Sequence, residues 1–372
     1  MRYLADHLLH QGNWKILLSI DAAAHRLHGK LENLNPGELA LSDYSRRYLR
    51  KILANPVRVL QRYSYLLFLA LKGCGKPFER LVLVDYGGGC GTLSFLASEA
   101  GVGRVIYNDI YDVSCCDAKR LSCALGSDVQ AYVCGDIDDV ISYLKEHSLS
   151  ADVFVSNDVI EHVYDVRGYI GKMASLSNHA LRVVHASGAN KKNPLIARRF
   201  RKRQLACEHK DRLPTSGWKQ MDTLRSYLGA RKEIVAGHAP FLKPEEVEKL
   251  AALTRGLRVE DIEKSVDEYL QTGAISYRPD HPTNTCDPYT GSWAEHLMDT
   301  SFLEKTLHEE GFRVETLSGY WHYFKPFPIR IMGTLLNFFI MIFKRRALCV
   351  SPYYVICAEP KRLAHSPEIS AG

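Results

Sequence analysis

The apolar positions of the chain change their period twice. From Ser42 they recur at helical spacing: Tyr44, Tyr48, Leu49, Ile52 and Leu53 share one face until Pro56, and Val57, Leu60, Tyr63, Tyr65, Leu66, Leu67 and Leu69 continue a second helix. Ser42 or Asp43 supplies the first N-cap, and the Gly73 region the final stop. Residues 1–80 are therefore expected to form an N-terminal helical layer. At Leu81 short apolar runs begin to alternate with helical patterns: LVLVD, RVIYND, VQAYVCGD, ADVFVSND and LRVVHAS. Such runs are apolar throughout because helices cover both faces of a parallel sheet. They predict five strands and a doubly wound α/β core over residues 81–187.

After Ser187 the alternation stops. Residues 188–292 read as a mostly helical insertion or lid and as the expected substrate region, with KPEEVEKLAALTRGL opened by Pro244 and closed at Gly256, and VEDIEKSVDEYLQTG ending at Gly273. A helix around Ser301 to Glu310 and the strand-like runs FRVETL and YYVICA complete the core over residues 293–360, leaving 361–372 as a flexible tail.

Between those last two strands lies IMGTLLNFFIMIF, Ile331 to Phe343, followed at once by Lys344, Arg345 and Arg346. It falls short of the roughly 20 apolar residues that cross a bilayer, so no transmembrane span is expected. Two readings stay open. Hydrophobicity around most of the helix points to burial between the last strands; the flanking cations point to a helix lying in a membrane interface, as a peripheral contact with anionic lipid.

Composition narrows the class. The chain has 372 residues, 46% apolar and 24% charged, which is ordinary for a globular protein. Its ten cysteines are scattered and include no C-x-x-C spacing, so a zinc ribbon or dithiol site is not indicated and a reduced, cytoplasmic compartment fits. The opening MRYLADHLLHQGNWKILL lacks the apolar core of a secretory signal. The net charge of +6 is unevenly spread, with Lys191, Lys192, Arg198, Arg199, Arg201, Lys202, Arg203, Lys210 and Arg212 in one stretch. This stretch is either a solvated helix face or the contact for an anionic partner.

The first strand runs directly into Asp85-Tyr86-Gly87-Gly88-Gly89-Cys90-Gly91, with a helix starting near Thr92. A glycine-rich turn there lets backbone approach a ligand closely while the helix N-terminus offers N–H groups. A dinucleotide fingerprint starting at Gly87 needs Gly or Ala where Thr92 stands, which disfavours a nicotinamide oxidoreductase. The pattern D-x-G-x-G-x-G on Asp85, Gly87, Gly89 and Gly91 instead resembles class I S-adenosylmethionine-dependent methyltransferases. The resemblance implies a Rossmann-like sheet and extends to three further strand ends. Asp109 stands where a carboxylate accepts from both ribose hydroxyls; Asp136 and Ile137 resemble the motif whose acid meets the adenine amino group and whose apolar residue packs on the ring. Ser156-Asn157-Asp158-Val159-Ile160-Glu161-His162 resembles the D-V-x-E-H pattern of small-molecule members, which brings Asn157 to the cofactor.

The resemblance implies a SAM-dependent methyltransferase, a transferase acting on a small-molecule, glycan or lipid-linked anionic acceptor at a hydroxyl. An RNA 2′-O-methyltransferase, with the basic run as phosphate track, a non-catalytic cofactor or partner binder and an NAD-dependent enzyme are the alternatives. In-line methyl transfer needs alignment more than a covalent nucleophile, and methylation of a hydroxyl is helped by a base, for which His162, with Asp158, is the candidate. Asp158, Glu161 and His162 also resemble the ligands of metal-dependent members, which leaves a divalent metal open, as does a purely structural role in the turn. The loop HPTNTCDPYTGSW offers His281, Asn284, Asp287, Tyr289 and Trp293 either as an acceptor-binding set or as turn formers.

Overall fold

The computed structural model describes residues 3–4, 13–176, 180–214, 219–322 and 329–361. Three helices come first: α1 (Trp14–Glu32), α2 (Asp43–Ala54) and α3 (Pro56–Leu71). Ser42 caps α2 by accepting from the Ser45 N–H, and Asn55 caps α3 by accepting from the Arg58 N–H, with Pro56 in the first turn where its missing N–H has no helical partner to lose. The alternating region follows as β1 (Val82–Tyr86), α4 (Thr92–Glu99), β2 (Arg104–Asp109), α5 (Asp112–Leu125), β3 (Ala131–Cys134), α6 (Ile137–Glu146), β4 (Val153–Asn157), α7 (Val166–Ala174) and β5 (Arg182–Ser187).

Beyond the sheet-forming stretch come α8 (Pro194–His209), α9 (Tyr227–His238), α10 (Pro244–Leu253) and α11 (Val259–Thr272). The chain returns through α12 (Thr300–Glu309), β6 (Phe312–Ser318), α13 (Ile329–Phe343) and β7 (Tyr354–Pro360). The sheet runs β3-β2-β1-β4-β5-β7-β6, parallel from β3 to β5 and antiparallel at β7, so the fold is a doubly wound, Rossmann-like α/β sheet. The chain winds outward from β1 through β2 to β3, then crosses back to β4 on the other side of β1 and continues to β5. A crevice opens at the carboxyl ends of the strands where the winding reverses.

Two apolar layers sandwich the sheet. One gathers Leu17, Ile20, Leu27, Leu60, Leu67 and Phe68 from α1 and α3 with Leu93 and Leu96 from α4; the other gathers Val140, Leu144, Ile170, Met173, Leu303 and Leu307 from α6, α7 and α12. The N-terminal helices thus complete one face of the sheet. Helices α9, α10 and α11 close around a smaller core of Val235, Leu250, Ile262 and Val266. Beside it the fully buried Arg231 guanidinium meets the buried Glu208 carboxylate.

One sequence expectation is corrected. Helix α13 is not buried between the last strands, because β6 and β7 are hydrogen-bonded neighbours over their whole length, Phe312 opposite Pro360 to Ser318 opposite Tyr354, and leave no room for it. The helix is an outward excursion of their connection in which only Asn337 and Ile340 are buried. No described helix is long and apolar enough to cross a membrane. The expected tail lies, apart from Lys361, outside the described residues.

Candidate active site

The carboxyl ends of β1 to β4 open into a cleft of about 1690 Å³, lined among others by Tyr86 to Cys90, Asp109, Asp136, Ile137, Asn157, Asp158, Glu161 and His162. Typical small-molecule sites hold about 300–1,000 Å³, so this one has room for two ligands side by side. The turn after β1 is left-handed at Gly87, Gly89 and Gly91, with φ of 71°, 54° and 76°. A Cβ on Gly87 would come within 2.4 Å of Val159, whereas one on Gly89 would meet nothing within 4 Å. The first glycine therefore serves packing of the turn on the end of β4, and the second leaves open space at the cleft wall.

The acidic residues divide in role. Asp85 is buried and accepts from Ser94 N at 3.0 Å and Ser94 Oγ at 2.7 Å, which fixes the first turn of α4. It is not among the cleft-lining residues, and its hydrogen bonds make it a support of α4. Burial pushes its pKa up to about 7 against those hydrogen bonds. Asp109 reaches the cleft while its Oδ2 accepts from Gly89 N at 3.0 Å and its Oδ1 from Tyr111 N at 2.9 Å, so the glycine turn and the end of β2 are tied together through it. Asp136 is exposed at the rim and caps α6, accepting from Asp138 N at 2.8 Å, with Ile137 buried beside it. Among the described residues the buried Oδ1 of Asn157 has no hydrogen-bond partner.

The chain turns sharply after β4. Asp158 takes φ of 57°, and its Oδ1 accepts from Arg62 Nη2 at 2.8 Å and Gly188 N at 2.7 Å, while the Arg62 guanidinium lies 4.4 Å from the Tyr353 ring centroid. Its carboxylate is thus held by α3 and the end of β5 rather than free to act as a base. Glu161 is buried; burial and the neighbouring Asp158 charge raise its pKa well above the usual carboxyl range.

His162 lines the cleft, and its Nδ1 lies 2.8 Å from the Trp293 carbonyl oxygen. A carbonyl only accepts, so Nδ1 carries the proton and Nε2 is left as the basic nitrogen.

Asp158, Glu161 and His162 do not form a ligand set: the first is engaged by Arg62, the second is buried at the cleft wall and the third spends Nδ1 on a carbonyl. Among the described residues no group of three or more His, Cys, Asp or Glu is arranged to hold a metal.

The side chains of the polar loop are engaged mainly within the loop and its supports. Asp287 is buried and accepts from Thr223 N, Tyr289 N and Thr290 N, His281 bonds to Thr283, and Tyr289 is 53% exposed away from the cleft. Trp293 stacks between Tyr164 and His296. Asn284 is also buried, accepting from Gln204 Nε2 at 3.2 Å. These side chains build the loop, and its backbone serves the site: Trp293 N donates to His162 O, His296 N to Glu161 O, and Trp293 O accepts from His162. Thr290 and Ser292 of the loop, and Glu295 just beyond it, line the cleft.

Part of the cleft lining carries no motif in the sequence. Tyr44, Arg47, Lys51, Arg58 and Arg62 reach the cleft from α2 and α3, and Arg199, Arg203 and Arg212 reach it from the basic stretch of α8 and beyond. The first five lie on helices that carry no motif, whereas the last three belong to the basic stretch that the sequence offers as a contact for an anionic partner.

No protein-family model and no curated protein sequence matches the chain. Among solved structures it is similar to a magnesium protoporphyrin IX methyltransferase from Synechocystis PCC 6803, at 13% identity over 84% of this chain and 87% of that one, with a TM-score of 0.37. It is similar to an S-adenosylmethionine dependent methyltransferase from Mesorhizobium loti at 14% identity, over 79% and 97% of the two chains, with a TM-score of 0.36. A third likeness is to an O-methyltransferase family protein from Burkholderia thailandensis at 12% identity; it takes in 87% of this chain but only 64% of that one, with a TM-score of 0.37. The chemistry is read from the cleft itself.

Proposed function

We propose that the protein is an S-adenosylmethionine-dependent methyltransferase acting on a hydroxyl of an anionic small-molecule, glycan or lipid-linked acceptor. The observation that carries this reading is His162, held with Nε2 as its basic nitrogen in the same cleft as the glycine turn and Asp109. The cofactor supplies an electrophilic methyl group on a sulfonium, so transfer to oxygen is an in-line displacement. Asp109 and Asp136 offer carboxylate oxygens to a nucleoside, Ile137 an apolar wall, and the open side of Gly89 lets the chain pass close to it. His162 Nε2 takes the proton that the acceptor hydroxyl loses, and the Trp293 carbonyl steadies the resulting imidazolium through Nδ1. Arg47, Lys51, Arg58 and Arg199 on the opposite wall favour an acceptor that carries negative charge.

Calorimetry with S-adenosylhomocysteine and with NADH tests the cofactor. The wild type should bind the former, and Asp109→Ala should weaken that binding by about 1.5–3 kcal/mol, the scale of hydrogen bonds to a charged group. Binding of NADH with no binding of S-adenosylhomocysteine would refute the proposal.

A further inference from the structure

Helix α13 exposes Ile329, Ile331, Met332, Leu335, Phe338, Phe339, Met341, Ile342 and Phe343, with Leu335 at 64%, Phe338 at 58% and Ile342 at 53% of their full exposure. Scattered apolar residues on a surface are ordinary, but a contiguous apolar helix face is not, and it marks a contact surface. We propose that α13 is a membrane-docking helix that lies in the headgroup region of an anionic bilayer.

The charge around it selects that occupant. Exposed cations stand at both ends, Arg330 at the start and Lys344, Arg345 and Arg346 just past Phe343, and the stretch from Ile329 to Arg346 holds no acidic residue. Arg345 pairs with Glu304 at the root of the helix, while Lys344 and Arg346 extend the exposed basic end. An apolar face framed by cations matches acyl chains below a layer of phosphates.

A second copy of the chain is a poor match. In a two-fold interface the patch meets itself, so Arg330 and the Lys344–Arg346 end would face their like with no carboxylate of the helix to pair them.

The helix is also placed to matter. Asn337 Oδ1 accepts from Trp321 N at 2.8 Å and its Nδ2 donates to Trp321 O at 2.7 Å, which ties α13 to a residue of the cleft wall. On the other flank, Asn190 and Asn193 donate to carbonyls of Leu348 and Ser351, which brings Lys191, Lys192 and the 79%-exposed Leu195 beside the segment that follows the helix. The cleft thus opens next to the docking surface. The inference stands apart from methyl transfer, since it rests on α13 and its flanks alone.

Flotation of the full chain with vesicles of phosphatidylcholine, and of phosphatidylcholine mixed with phosphatidylglycerol, is the test. The wild type should float with the anionic vesicles at low salt and lose most of that binding at high salt or on the neutral ones. Replacing Lys344 and Arg346 by Gln should weaken partition by about 25-fold, at about fivefold for each lost cation near the surface. Phe338→Ser with Ile342→Ser should abolish it, with an unchanged melting temperature. Should that double variant misfold, the wild type and the charge variant still decide. Absence of wild-type flotation on anionic vesicles at low salt overturns the proposal. So does a dimer in sedimentation that the Phe338→Ser, Ile342→Ser variant converts to monomer, because the face would then belong to a second copy.

Discussion

Asp85 offers a sharp test of how the glycine turn is supported. Its carboxyl is buried and accepts two hydrogen bonds from Ser94, yet burial dominates and lifts its pKa from 3.8 to about 7. The native state therefore binds the proton more tightly than the unfolded chain does. Stability is greatest below the unfolded value and is lost as pH rises through the native one. At 1.36 kcal/mol per pKa unit the gap between 3.8 and about 7 is about 4 kcal/mol when ionisation is complete. About 1.5 kcal/mol of it is already present near pH 5.

Asp85→Asn keeps an acceptor for the Ser94 N–H and cannot ionise. Its stability relative to the wild type should therefore rise by about 2.5 kcal/mol between about pH 5 and about pH 8. Urea unfolding of both proteins at several pH values measures it, and taking the difference removes other titrating groups such as Glu161 and His185. A stability difference that stays flat over this range would show that Asp85 ionises with an ordinary pKa and that burial does not govern it. S-adenosylhomocysteine affinity of the variant should change by less than about threefold, since this carboxyl supports α4 and does not line the cleft.

The remaining predictions concern the site and the insertion. His162→Ala should lose most of its methyl transfer in single-turnover assays with a serviceable acceptor while keeping its melting temperature and S-adenosylhomocysteine affinity; full activity would return His162 to a supporting role. Gly87→Ala places a Cβ 2.4 Å from Val159 at φ of 71°, so thermal unfolding should show a loss of at least about 1–2 kcal/mol, with cofactor binding weakened as the turn shifts. Arg231→Met removes the fully buried guanidinium partner of Glu208, which keeps Arg255 and Thr285, and leaves the Ala251 carbonyl only the Thr254 hydroxyl at 3.5 Å; it should cost about 3 kcal/mol by urea unfolding, and replacing Glu208 by Leu in the same chain should recover part of the loss.

Much of the core was legible because its signals are local. Alternating apolar runs named all the strands of the sheet, Ser42 and Pro56 marked helix starts, and the glycines after β1 announced a left-handed turn that few other residues tolerate. The order of Asp109, Asp136 and Asn157 at successive strand ends likewise placed them on one edge of the sheet, since a parallel sheet brings those ends together whatever else the chain does. Where a side chain points is not local. Asp85 turns to Ser94 and Asp287 to its own loop and Thr223, because each found backbone N–H groups nearer than the cleft, and His162 gains its defined tautomer from a carbonyl 131 positions further along. The cations of α2 and α3 face the site only because their helices dock on the sheet. Helix α13 shows the same limit from the other side: hydrophobicity records that a segment avoids water, but only the pairing of β6 with β7 decides that no protein core is left to receive it.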